Sequence, residues 1–277
     1  MNKILYRNND KYFKKIKKRS KQELYDYLKQ RNFINYLEPD EETSSYELFR
    51  YIEDTLPKED KAIDLVYLLA LLHNKTTTYE EVTEEKVKTI YEDTKDYIIK
   101  LKNYYYNLQD YIETKIYFSP AEYLLIRNIS SIYEILNLSE KLLEEWLLLQ
   151  QKEKTWKVAL LHQNLKLSNL KEENNNYFFV NWDNYKKDLV IYDFINFYNN
   201  EYKELEMSSI LELYQSKYPL SKTELKLLLS LLAIPPKLEF NKSNYENTVN
   251  TKYLIIYVEK TKDLILKYNK KEQHSNK

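Results

Sequence analysis

The side chains best placed to do chemistry fall in two short stretches. The first is Leu161-His162-Gln163-Asn164-Leu165-Lys166-Leu167-Ser168-Asn169-Leu170, with a histidine two residues before one amide and a second amide five residues beyond it. The second is Phe178-Phe179-Val180-Asn181-Trp182-Asp183, in which a carboxylate follows a third amide by two. Singly, each residue has a plain structural use: His162 as a turn or core histidine, Asn164 and Asn169 as loop amides bonding nearby backbone. If the second stretch is a strand, Asn181 and Asp183 share one face about 6.6 Å apart, and Asp183 can offer a carboxylate to a metal. Cysteine is absent, which excludes disulfides, thiolate metal sites and cysteine nucleophiles.

Glycine is absent too: none in 277 residues, where average usage would give roughly 20. Motifs that press a phosphate against bare backbone, including the Walker loop, the dinucleotide fingerprint and the kinase glycine-rich loop, rely on glycine because a Cβ blocks the approach or the turn. None of them is present in standard form. Turns must use asparagine, the next most tolerant of the left-handed region, as at Asn8-Asn9-Asp10 and Asn174-Asn175-Asn176. Lysine plus arginine and aspartate plus glutamate each number 43, so no global field favours nucleic acid or an anionic membrane. The start of the chain has no apolar signal core. Apolar runs such as Leu65 to Leu72 are shorter than the ~20 residues that span a bilayer, so neither secretion nor insertion is expected and a cytoplasmic location is the default.

Several elements must position these stretches. Residues 3–18 read as a hairpin, and Ser20 with Glu23 reads as a capping box opening a helix to Arg31. Phe33 to Leu37 and Tyr46 to Ile52 read as two more strands, flanking a polar turn. Beyond Pro57 helices dominate, at residues 61–73, 83–112 and 119–150, the last opened by Ser119-Pro120-Ala121-Glu122. Short strands at 157–161 and 177–180 interrupt them. Helices resume near Tyr192, Ser221 and Tyr253, and the lysine-rich tail from Lys267 reads as frayed.

The segment has the frame of a kinase catalytic loop. It resembles the aminoglycoside and choline phosphotransferase superfamily, whose pattern is His-Gly-Asp-Leu, an Asn five residues after the Asp, then Ile-Asp-Trp and Tyr-Asp-Leu; Val180-Asn181-Trp182 and Tyr192-Asp193-Phe194 stand in the last two places. Within it the chain looks most like a bacterial branch of spore-coat-associated kinase-like proteins. The resemblance implies an α+β, two-lobed protein-kinase-like fold. Residues 1–55 would form a small lobe with an antiparallel sheet and one helix, its glycine loop shortened or absent. Residues 56–277 would form a mainly helical lobe carrying the catalytic-loop-like segment 158–197.

The same resemblance assigns roles. Asn164 stands at the catalytic aspartate, where an amide has no basic oxygen to accept a proton, and His162 supports the loop. Asn169 and Asn181 stand at the metal-ligand positions, with Asp183 as a substitute carboxylate. Lys15 and Glu23 match the phosphate-pairing lysine and its helix partner, Asp193 is structural, and Gln163 replaces the glycine after the histidine. The reading is a degenerate member: a pseudokinase that binds a protein or small-molecule partner, with no cofactor expected. Its first rival is an active phosphotransferase on a small-molecule hydroxyl, using ATP and Mg²⁺. Its second is a structural or interaction protein of the cell or spore surface, with Tyr104-Tyr105-Tyr106 as contact area.

Overall fold

The structure, a computed structural model, describes residues 3–7, 10–53 and 57–275. In chain order the elements are β1 (Lys3–Arg7), β2 (Asp10–Ile16), α1 (Gln22–Gln30), β3 (Glu41–Glu42), β4 (Tyr46–Arg50), α2 (Lys58–Thr76), β5 (Thr78–Glu81), α3 (Glu84–Glu113), α4 (Pro120–Gln150), β6 (Thr155–Leu161), β7 (Leu170–Glu173), β8 (Asn176–Phe179), β9 (Lys186–Leu189), α5 (Ile191–Glu201), α6 (Met207–Lys217), α7 (Lys222–Leu232) and α8 (Asn244–Ser275). This is an α+β chain with a small N-terminal antiparallel sheet and a larger helical part. The residues gather into two compact units: 1–79, 157–201 and 209–219 form one, and 80–156, 202–208 and 220–277 the other. The expected Asn8-Asn9 turn and the 55/56 boundary lie outside the described residues.

In the first unit the sheet runs β1-β2-β4-β3. Its register pairs Lys3 with Lys14 and Arg7 with Asp10 across β1 and β2, and Tyr12 with Arg50 and Ile16 with Tyr46 across β2 and β4. Helix α1 turns Leu24, Tyr25 and Leu28 inward. It ends in a Schellman arrangement, with Asn32 at φ 53° where glycine is usual and the Phe33 N–H reaching back to the Leu28 carbonyl. Two expectations fail here. The Ser20–Glu23 capping box does not form: Lys21 is the N-cap, and its ammonium, a donor with no acceptor, makes no side-chain cap. Phe33 to Leu37 is not a strand. It makes one parallel bridge, Tyr36 to Phe179, and Asn35 holds the approach through Nδ2 to the Tyr177 carbonyl at 2.9 Å. Contact with the β8 edge stops at that bridge and the Phe179 N–H to the Asn35 carbonyl, and Phe33, Tyr36 and Leu37 fill the core while Ile34 faces solvent.

Strand β6 pairs antiparallel with β9, Val158 opposite Leu189 and Leu161 opposite Lys186, while β7 and β8 form a hairpin. Its two turn residues, Asn174 and Asn175, have φ of 53° and 61°. That is the both-positive geometry of the type I′ turn, which matches strand twist. Of the five positive-φ residues among those described (32, 163, 174, 175 and 181), four are asparagine and the other is Gln163.

In the second unit α4 is the central helix. Ser119 and Glu122 form a full capping box with Pro120 in the first turn, and Ser221 with Glu224 does the same for α7. Helices α4 and α7 touch closely enough that Ser139 and Ser230 each donate to the other's carbonyl, at 2.8 and 2.9 Å. Tyr104 and Tyr105 are not contact area: their hydroxyls donate to the Leu238 and Pro236 carbonyls, and of the three tyrosines only Tyr106 is largely exposed, at 66%. The tail is also a correction, since α8 continues to Ser275.

Candidate functional site: an amide ladder closed on a buried lysine

Where β6 ends, the chain turns through His162 and Gln163 and is held by one carboxylate. Asp193, fully buried in the first turn of α5, accepts the backbone N–H of His162 at 2.8 Å and that of Gln163 at 2.7 Å. It also accepts the Gln163 Nε2 at 3.3 Å, and His73 Nε2 lies 3.3 Å away. With Nε2 directed there, His73 Nδ1 accepts from the Tyr214 hydroxyl at 2.7 Å. Gln163 sits at φ 55°, a region that costs a residue with a Cβ roughly 1 kcal/mol or more. Gln163→Gly should therefore raise stability by about 0.5–1 kcal/mol, whereas a β-branched valine there should lower it by more; urea unfolding of the two variants checks the order.

The His162 ring lies between Phe179 and Trp182, with centroids 5.2 and 4.6 Å away. Its Nε2 donates to the Val180 carbonyl at 2.9 Å, and Nδ1 has no partner. Burial holds its pKa below the ordinary 6.5, so the folded state keeps it neutral while an unfolded chain protonates it near the ordinary value. Its contribution to stability is complete above about pH 6.5 and falls by roughly 1.4 kcal/mol per unit as pH drops below that. His162→Gln should be less stable at neutral pH but lose this part of the acid slope, as read by denaturant midpoints between about pH 7 and pH 5.

The three asparagines meet. Asn181 Nδ2 donates to Asn169 Oδ1 at 2.7 Å, Asn169 Nδ2 to the Asn164 carbonyl at 2.7 Å, and Asn164 Nδ2 to the Asn181 carbonyl at 3.4 Å. The free end of the ladder, Asn181 Oδ1, accepts from Lys15 Nζ at 2.9 Å. The strand does not run on through 181–183, the condition for Asn181 and Asp183 to share a face: Asn181 is left-handed at φ 65° and residues 182–184 form a 3-10 turn. That turn swings Asp183 onto the same lysine, Oδ2 to Lys15 Nζ at 2.8 Å, with both side chains 8% exposed.

Asp183 has a second partner that spacing could not reveal. Lys21 Nζ lies 3.1 Å from its Oδ1 and is held by both oxygens of Glu47, at 2.6 and 2.8 Å. Burial works to raise the Asp183 pKa, but Lys15 and Lys21 overcome it and hold the carboxyl below its ordinary value. Burial draws Lys15 downward against the pull of Asp183. Glu23, expected opposite Lys15, is on the exposed side of α1 instead. Arg19 pins the far end of the turn, donating to the Tyr185 carbonyl at 2.9 Å and lying 3.8 Å over its ring.

The chain aligns in three dimensions with an aminoglycoside phosphotransferase from Alicyclobacillus acidocaldarius over 99% of its own length and 90% of the other, with a TM-score of 0.69 at 10% identity. This chain has the protein-kinase-like phosphotransferase fold. An AMP-bound spectinomycin phosphotransferase shares it at a TM-score of 0.57 and 14% identity, covering 92% of this chain and 88% of that one. A glucosamine kinase does so at 0.56 and 10%, covering 96% and 78%. No family model and no curated protein matches by sequence.

On this phosphotransferase fold, the donor set fits magnesium poorly. The ion favours carboxylates with water and phosphate. Here the amide oxygens of Asn169 and Asn181 are already taken by Asn181 Nδ2 and Lys15, and the carboxylate beside them faces two ammonium groups. Among the described residues no group of three histidine, aspartate or glutamate side chains is placed to hold a metal. Next to the ladder lies a cavity of about 270 Å³, lined by apolar side chains such as Phe13, Leu37, Phe49 and Ile52, by the amides of Asn169 and Asn181, and by the cations Arg50 and Lys171.

Proposed function

We propose that this chain is a pseudokinase: a phosphotransferase-like scaffold that binds a partner in its cleft and transfers no phosphoryl group. The observation that carries the reading is the closed ladder from Asn164 through Asn169 and Asn181 to Lys15 and Asp183. Each group that the resemblance would devote to proton transfer, metal or phosphate is an amide or is neutralised by a neighbour. Losing base assistance alone costs a factor of about 10²–10⁴ in rate. The cavity beside the ladder is of a size for a small molecule rather than a protein segment, with Phe13, Leu37, Phe49 and Ile52 to take an apolar part and Arg50, Lys171, Asn169 and Asn181 to take a polar or anionic one. Among the described residues no helix is long and apolar enough to cross a membrane, and we place the activity in the cytoplasm.

An active enzyme would need Asp183 free for a metal, and its two lysine partners oppose that. Thermal shift of the wild-type protein with ATP and with ADP, each with and without Mg²⁺, tests the reading. The expected result is no metal-dependent stabilisation at millimolar nucleotide; a shift that requires Mg²⁺ would overturn it.

A further inference from the structure

We infer that the Lys15 ammonium serves as a tethered substitute for a divalent cation, so that the site is complete without metal. The inference deepens the pseudokinase reading and rests on it only in taking Asn169 and Asn181 as the metal frame. Nζ of Lys15 bridges Asn181 Oδ1 at 2.9 Å and Asp183 Oδ2 at 2.8 Å, and Asn181 passes the contact to Asn169 at 2.7 Å. One cation thus organises an amide pair and a carboxylate as a bound ion would, with N–H donors in place of coordinate bonds.

Charge balance supports this. Lys15 and Lys21 face Asp183 and Glu47, two charges of each sign, and these four side chains are each no more than 8% exposed. Lys18, at 3.8 Å from Asp183, is 68% exposed and is compensated by solvent. The cluster is therefore neutral as it stands, and a divalent ion would leave it doubly positive in a poorly hydrated place. The other oxygen of Asp183 is buried, accepts no hydrogen bond and lies 3.1 Å from the Lys21 ammonium, so a metal approaching either edge of the carboxylate meets a positive charge. A tethered ammonium also has no dissociation equilibrium, which a dilute ion does.

Removing the ammonium reverses the balance. Lys15→Met leaves a net negative charge, one carboxylate edge and the Asn181 amide oxygen pointing into the vacated space. Manganese titration followed by electron paramagnetic resonance is the test, on the full chain without nucleotide. Wild type should bind no Mn²⁺ at this site at millimolar concentration. Lys15→Met should gain at least about ten-fold in affinity, compete with Mg²⁺, and lose the gain when Asp183→Asn is added. Equal Mn²⁺ binding in wild type and Lys15→Met, or none in a folded Lys15→Met, overturns the inference.

If Lys15→Met does not fold, the wild-type ammonium is read directly by lysine-selective ¹⁵N NMR. A protected Lys15 signal unchanged by Mg²⁺ is expected, and paramagnetic broadening of it at low Mn²⁺ overturns the inference. The two failures are distinguishable: Mg²⁺-dependent nucleotide binding by wild type defeats the pseudokinase reading, whereas a folded Lys15→Met that takes no Mn²⁺ defeats only the tethered cation.

Discussion

Asp193→Ala is expected to lower the stability of the protein by roughly 4 kcal/mol, because it strands several buried donors at once and each costs about 1–3 kcal/mol. The groups concerned are the His162 and Gln163 backbone N–H and His73 Nε2, all directed at a carboxylate with no exposure. Asp193→Asn keeps one acceptor oxygen and should cost about half as much. Urea unfolding monitored by tryptophan fluorescence is a suitable readout, since Trp182 lies beside the affected turn. A loss below about 1 kcal/mol for the alanine variant would mean that the loop is held by packing and that the carboxylate is dispensable.

Asp183→Ala should come next, at about 3 kcal/mol, the lower end of the range for breaking a buried ion pair because Lys21 keeps Glu47 as a partner. The substitution leaves Lys15 without its ion-pair partner and Lys21 with Glu47 alone. The double variant Lys15→Met with Asp183→Leu should recover most of the loss, since two apolar side chains need no compensation. A metal-binding role for Asp183 predicts the opposite pattern, with little change in stability and a loss of ligand binding. Chemical denaturation of wild type, both single variants and the double variant separates the two through their coupling energy.

The parts of this protein legible in its sequence are those decided by neighbours along the chain. Helix starts at Thr83, Ser119 and Ser221 carry side-chain caps within three residues, and all three form. The Asn174-Asn175 turn was legible because, without glycine, asparagine is the residue that best tolerates positive φ. The resemblance to the phosphotransferase frame grouped His162, Asn164, Asn169, Asn181 and Asp193, and the structure brings their side chains or backbone groups together across β6, the β7–β8 hairpin and the start of α5. Elements with weak local signals were missed: the short strands β3 and β5, the hairpin partner β7, the strand β9 and the helix α6.

Charge pairing could not be read in the same way. Lys15 stands among Lys14, Lys17 and Lys18, and nothing local says which of them turns inward; the register of β2 against β4 decides it, leaving Lys15 buried. The same register buries Glu47 against Lys21, and the helix start shifts to Lys21 at the N-cap position, leaving α1 without the Ser20–Glu23 capping box. The left-handed turn at Asn181 then aims Asp183 at both lysines, where a strand would have pointed it along a metal face. Local sequence determined the caps, the glycine-free turns and the order of the elements, because each depends on a few adjacent dihedrals and short hydrogen bonds. Only the tertiary structure decided which carboxylate neutralises which lysine, because a buried charge takes the partner that the packing brings within reach.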